Sequence, residues 1–343
     1  MSPPSSTRRE FLTAASAAAA AAMLPVSVGG AETAPDPRWA IGCHTRPFAG
    51  FRASQASNPD YILDAVKAAG YEFADMISAG GGGGRNAAPA GTTGAAPAPA
   101  AGRGVPSTAE ATEAYKQKLA ARGLKSNIAS LSTPQGPIVL ADAIANARSI
   151  IANAQILGQK YALNLGIEQE ERWVDWCKVL ADAAAYGKER GVKVVVKHHH
   201  GLNNTSLDLL AWIKQVNHPN FGVFVDPGNI VYYTGKDPVK QMELIGPHVS
   251  GVVAKDCSAP HFMEREVSAP PMAPAVAGAG NPEVMIQFGT GRVNFAALFA
   301  KLKSFGFKGP VMVEGTEVAA TLEETIANAR ANREFLEKIF ASL

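Results

Sequence analysis

The chain has 343 residues, of which 47% are hydrophobic and 18% charged, with a formal charge of +2 and a mean hydropathy near zero. That apolar share is ample for a large core and excludes a chain disordered throughout. The near balance of charge argues against nucleic acid or a membrane surface as a charge-driven partner.

The first segment reads "STRREFLTAASAAAAAAMLPVSVGGA". Arg8 and Arg9 precede Phe11-Leu12, an alanine-rich apolar run broken by Pro25, and small residues up to Ala31. A basic start, an apolar stretch and a small-residue cleavage zone describe a signal peptide, and the paired arginines favour the twin-arginine route over Sec. The competing reading is an alanine-rich N-terminal helix. Residues 1–31 are therefore set apart from the fold, with cleavage expected near Ala31 and a periplasmic or secreted location. Without them the balance falls to +1, through loss of Arg8, Arg9 and Glu10. No other segment is long and apolar enough to span a bilayer, so no stable membrane association is expected. Cys43, Cys177 and Cys257 have no paired short spacing, which points to packing rather than a disulfide framework or zinc knuckle.

From residue 38 onward, β-rich runs alternate with helical patterns. "WAIGCHT" reads as a strand, "NPDYILDAVKAAG" as a helix with Pro59 near its first turn, and "YEFADMIS" as the second strand. Residues 79–106 form a Gly/Ala/Pro tract without periodicity, an insertion that cannot bury a core. Order resumes with a helix opened by a Ser107–Glu110 capping box and stopped at Gly123, then the strand "LKSNIASL". Helix 140–157, strand "YALNLGI", helix 170–190 and strand "VKVVVKHHH" follow. Thr205 and Asp208 cap a helix running to Val216; "FGVFVDPG" is a strand ending in a sharp Pro-Gly turn; Asp237-Pro238 opens a short helix to Ile245. After "VSGVVAKD" comes a second Ala/Pro/Gly tract, roughly 268–282, then the helix in "FGTGRVNFAALFAKLKSFG", the strand "GPVMVEG" and a last helix capped by Thr321 and Glu324.

Eight strands alternating with eight helices imply parallel strands with helical crossovers, and eight units close a barrel. An open doubly wound sheet is the alternative, but "GCHTRPF" lacks the glycine-rich phosphate turn expected after its first strand. The fold class is α/β, a single (β/α)8 barrel over residues 38–343. Catalytic groups of such barrels lie at the C-terminal strand ends. Both low-complexity tracts follow strands, the second and the seventh, and are expected on that face.

The eight strand ends offer His44 and Arg46; Asp75; Asn127 and Ser130; Asn164; Lys197, His199 and His200; Asp226 and Asn229; Lys255 and Asp256; and Glu314 with Glu317. A solvated rim explains any one of these alone. Lys197, Asp226, Lys255 and Glu314 stand out because each directly follows a valine-rich run. Alternation puts Val195, Lys197 and His199 on one face of the fifth strand, so His199 is the histidine expected beside Lys197, with His198 turned to the helical layer and His200 starting the loop.

These ends resemble the xylose isomerase-like TIM barrels, the superfamily of sugar isomerases and epimerases. The resemblance runs from about residue 38 to the end and rests on "KHHHG", "DPGN", "VAKD", "GTGRVNF" and "VMVEG", five segments in order. It implies an isomerase or epimerase acting on a small sugar, with one divalent metal, often Mn²⁺, held by carboxylates and a histidine. Asp226 and Glu314 match two of the family's ligands; the other two positions hold Lys197 and Val253. Three outcomes stay open: a metal kept by His199, Asp226 and Glu314 with Asp256 or His44; Lys197 standing in the place of the cation as a buried ion pair; or a barrel that binds sugar without chemistry. "KHHHG" with "DPGN" also resembles an exported subgroup linked to cleavage or rearrangement of 3-keto sugars, though His200 replaces a glycine of that turn.

Isomerisation, epimerisation and β-elimination of keto sugars share removal of a proton beside a carbonyl, which needs a base and a donor or cation at the developing oxyanion. Lys197, Glu314 and Lys255 are the expected catalytic residues, with His44, Asn229, His200 and Glu317 expected to bind substrate. Export favours a neutral free sugar, glycoside or keto-glycoside over a sugar phosphate. The lone Gly-x-Gly of "FGTGRVNF" is weak evidence for a phosphate cradle.

Overall fold

A computed structural model describes residues 39–76, 108–134, 136–261 and 281–343. The segment read as a signal peptide, the 79–106 tract and nearly all of the 268–282 tract lie outside the described residues. Eight strands form one sheet: β1 Ile41–His44, β2 Phe73–Asp75, β3 Ile128–Ser130, β4 Tyr161–Asn164, β5 Lys193–Lys197, β6 Phe221–Val225, β7 Val249–Ala254 and β8 Val311–Val313. Their order is β2-β1-β8-β7-β6-β5-β4-β3, and every pair is parallel. This is the expected (β/α)8 barrel, continuous except between β2 and β3.

Several links bridge that seam. Phe73 pairs with Lys125, the Ala74 amide donates to the Lys125 carbonyl, and the Met76 amide donates to that of Ile128. The Asp75 carboxylate does the rest: its Oδ1 accepts from the backbone N–H of Asn127 at 2.6 Å and of Ile128 at 3.0 Å. A side chain thus supplies the acceptor that a strand partner would have given.

Alternation along the strands separates two apolar regions. Outward residues such as Val194, Val196, Val223, Val225, Val252 and Val313 pack under the helices with Trp173, Trp176 and Trp212. Inward residues Ile128, Leu163, Val195, Phe224, Val253 and Met312 fill the barrel itself. The three cysteines are buried and unpaired.

The helices are α1 Tyr61–Ala68, α2 Ala109–Ala120, α3 Leu140–Leu157, α4 Glu170–Lys188, α5 Ser206–Val216, α6 Pro227–Thr234, α7 Pro238–Ile245, α8 Phe295–Ser304 and α9 Leu322–Ser342. Capping boxes at Thr205–Asp208 and Thr321–Glu324 form as expected. The cap of α2 is Thr108, whose hydroxyl accepts from the Ala111 amide, one residue after the expected Ser107. The larger departure is α6. "DPGN" is a helix start, not a turn, because Asp226 caps the Asn229 amide at 3.0 Å and Pro227 occupies the first helical position, where its missing N–H costs nothing.

Candidate active site

The site is the layer of side chains immediately above the apolar filling of the barrel. Val195, Phe224, Val253 and Met312 point inward, and two residues further along each strand the same face carries Lys197, Asp226, Lys255 and Glu314. All four are buried. A hydrocarbon floor therefore lies directly below a ring of charge, which keeps the local dielectric low and strengthens each electrostatic contact.

At the centre is Lys197, 1% exposed. Its Nζ donates to Asp226 Oδ2 at 2.6 Å and to Glu314 Oε2 at 2.7 Å. Lys255 approaches the same two acids from β7, with Nζ 3.1 Å from Glu314 Oε1 and 3.6 Å from Asp226 Oδ2, and it donates to Asn229 Oδ1 at 3.3 Å. Arg46, 42% exposed at its side chain, adds Nη1 at 3.7 Å from Glu314 Oε1. Three cations thus face two carboxylates.

Burial alone would discharge Lys197, but Asp226 and Glu314 outweigh it and hold the ammonium above the ordinary lysine range. Lys255 goes the other way: burial, with repulsion from Lys197 and Arg46, pulls it down against the carboxylates. Burial would raise Glu314, yet Lys197 and Lys255 first, then His44 and Arg46, keep it well below the usual glutamate value. Glu314 is 7% exposed and Asp226 is 0%, so Glu314 is the acid of the pair that an incoming molecule reaches.

His44 stands at the end of β1 on the inward face, in register with Asp75. Its Nδ1 accepts from the Arg46 backbone N–H at 2.9 Å, which leaves the proton on Nε2. Burial is the main cause of its pKa falling to about 3, so it is neutral at physiological pH. A neutral donor, a reachable carboxylate and two ammonium groups therefore share one end of the barrel.

The chain holds this geometry locally. Gly228 and Gly315 flank Lys255: a Cβ at either would stand 2.8 Å from Lys255 Cγ, so only glycine lets the α6 and β8 ends close on its stem. Asn203 Nδ2 donates to the Lys197 carbonyl at 2.6 Å and the Leu165 carbonyl at 2.9 Å, fixing the loop after β5.

The remaining candidates are placed as follows. His198 is fully buried towards α5, its Nε2 3.2 Å from Ser206 Oγ. His199 leaves the strand: its amide donates to the Asn203 carbonyl and its ring lies 5.9 Å from that of Tyr233. His200 Nδ1 is 3.4 Å from Glu168 Oε1, and its ring is 5.7 Å from Tyr233. Asn229 is buried, its Nδ2 donating to the His198 carbonyl. Glu317 is exposed, beyond the end of β8. Asp256 is turned away from the ring and accepts four backbone N–H groups, from Cys257, Gly289, Gly291 and Val293, at 2.8–3.1 Å. The Gly-x-Gly of "FGTGRV" therefore cradles an internal carboxylate. Arg46 belongs to the site although only its position at a strand end marked it in the sequence.

A divalent metal does not fit these residues. Of the ligand set His199, Asp226, Glu314 and Asp256, only Asp226 and Glu314 converge, and the Lys197 ammonium is hydrogen-bonded to both. Strand β5 ends at Lys197, so alternation no longer directs His199 inward, while Val253 lies in the hydrocarbon layer below. Among the described residues no three His, Cys, Asp or Glu side chains gather to hold a metal.

Solved structures with the same architecture include a D-allulose 3-epimerase from Methylomonas sp. in complex with D-allulose, at 16% identity and a TM-score of 0.58, covering 88% of this chain and 97% of that one. The probable 3-DHS dehydratase of Bacillus anthracis aligns at 14% identity and a TM-score of 0.59, covering 87% and 98%. A xylose isomerase-like TIM barrel protein from Mycobacterium smegmatis in complex with magnesium gives 17% and 0.61, covering 89% and 97%. At such identities the likeness is one of fold. No curated protein sequence matches the chain. The family model described as xylose isomerase-like TIM barrel matches residues 63–339, a span that takes in seven of the eight strands and the whole charged ring, though not His44 and Arg46. The chain belongs to the xylose isomerase-like TIM barrel family.

Proposed function

We propose that this barrel is a carbohydrate-acting isomerase or epimerase that removes a proton beside the carbonyl of a neutral, keto-type sugar or glycoside. The observation that carries this reading is Glu314, a reachable carboxylate held between Lys255 and Arg46. The family supports a carbohydrate-acting enzyme, since its solved members include a sugar epimerase and a probable dehydratase.

In this mechanism Glu314 stays ionised across neutral pH and accepts the proton. Its neighbours make it a weak base, so most of the rate must come from stabilising the enediolate. Lys255 and Arg46 supply that stabilisation from the side of Glu314 Oε1, and neutral His44 donates from Nε2 to a substrate oxygen. Return of the proton to the opposite face of the enediolate gives epimerisation, and its return to the neighbouring carbon gives isomerisation. Loss of a β-substituent from the same intermediate would give a lyase. The twin-arginine segment favours a free sugar or glycoside over a phosphate ester.

Solvent exchange tests the proposal. Incubated in D₂O with ketohexoses and a 3-keto-glucoside, the protein is expected to introduce deuterium beside the carbonyl, and Glu314→Gln to slow this by about 10²–10⁴-fold. Sugar binding by calorimetry with no exchange in any substrate would overturn the enzymatic reading and leave a binding protein.

A further inference from the structure

We infer that the Lys197 ammonium is the resident cation of this site, standing where Asp226 and Glu314 converge and making the barrel independent of a divalent ion. The inference deepens the reading above, but its evidence is the geometry of the ion cluster alone.

Two carboxylates brought together in a hydrocarbon-floored site need a cation between them, since like charges at that distance destabilise one another severely in a low dielectric. Lys197 meets this need at 2.6 and 2.7 Å, distances typical of charge-assisted hydrogen bonds. It uses one oxygen of each acid. Glu314 Oε1 is engaged by Lys255 and Arg46, and Asp226 Oδ1 by the amide that starts α6. The acids therefore have no oxygen left uncommitted. A metal would have to displace a hydrogen-bonded ammonium and the α6 cap, and among the described residues no third acidic or imidazole side chain gathers with the pair to repay it.

The placement also divides the cations by task. Lys197 is 1% exposed and is directed into the acid pair, so it fixes Asp226 and Glu314. Lys255 and Arg46 engage the Glu314 oxygen that Lys197 leaves, and Arg46 is 42% exposed at its side chain, so these two are the cations placed to meet a substrate.

The experiment is thermal denaturation of the full chain with EDTA or with excess Mn²⁺, together with metal analysis of the purified protein. The wild type is expected to carry far less than one metal per chain and to melt at the same temperature in both buffers. Lys197→Glu places a third carboxylate beside the pair in place of its cation; it is expected to melt lower in EDTA and to gain at least ~5 °C with Mn²⁺. Lys197→Gln, which keeps most of the side-chain length and offers an amide oxygen, is expected to gain in the same direction if the glutamate variant does not fold. A wild type holding one equivalent of metal, lost to EDTA with a fall in melting temperature, would overturn the inference. So would a Lys197→Glu protein as stable as wild type without metal. None of these readings involves substrate, so they stand apart from the outcome of the exchange experiment.

Discussion

Replacing Glu314 by glutamine keeps the side chain's shape and removes the charge shared by Lys197, Lys255 and Arg46. Exchange of the substrate proton should then fall by about 10²–10⁴-fold, the usual contribution of a positioned base. Lys255→Met should lower turnover by about 10²–10³-fold with a smaller change in KM, because in the proposed mechanism its contact with the developing oxyanion forms only in the transition state. Steady-state kinetics of the two variants, with far-ultraviolet dichroism as a check on folding, would separate these roles. Acid stability follows from the same residues. His198 and His44 have pKa values lowered to about 3, chiefly by burial, so the unfolded chain takes up protons below 6.5 while the folded one does not. Stability should therefore fall as pH drops from about 6.5 towards 3, by about 1 kcal/mol per histidine for each pH unit. Glu314, held well below its usual range, adds a second loss beginning near pH 4.5. Denaturant titrations at pH 7, 6 and 5 in an Asp75→Asn background, which removes the opposing titration of Asp75, check the slope; a flat profile over that range would contradict the burial of both rings.

At the level of strands and helices, the seam between β2 and β3 is the part most exposed to a single change. Asp75→Ala leaves the amides of Asn127, half-buried, and Ile128, buried, without their acceptor and should cost about 2–4 kcal/mol in urea denaturation. Asp75→Asn keeps an oxygen there and should retain most of the stability. Burial raises the Asp75 pKa to about 7, so its contribution is complete below about 3.8 and is lost as pH rises through 7. The asparagine variant should accordingly compare better with wild type at pH 8 than at pH 5. The strand ends and their inward sets were legible because alternation behind the valine runs fixes them: Lys197, Asp226, Lys255 and Glu314 meet as that pattern implies. His199 lies two residues past the end of β5, out of reach of the alternation that still governs Asp226, Lys255 and Glu314, each one residue past its strand. "DPGN" looked like a turn because Pro-Gly is a turn signal, yet an Asp followed by Pro is equally a cap and first helical residue, and α6 takes that option. The role of Asp256 was not legible, since its four amide donors come from its own neighbour and from a loop more than thirty residues away.

For the barrel as a whole, strict alternation of strand and helix was enough to give eight parallel strands, and the parallel ladder around the sheet agrees with it. What alternation could not supply is the balance of charge at the open end. Three cations surround two acids over an apolar floor, and that surplus suits a site in which negative charge develops on a neutral substrate. By the resemblance drawn from the strand ends, this chain departs from a metal-dependent barrel at two ligand positions, those of Lys197 and Val253. The most direct measurement is the rate of deuterium incorporation beside the carbonyl of a keto sugar by the protein in EDTA, compared with the same protein in excess Mn²⁺. Incorporation at equal rates in both is the predicted result. Exchange that appears only with Mn²⁺, or in neither buffer, would contradict it.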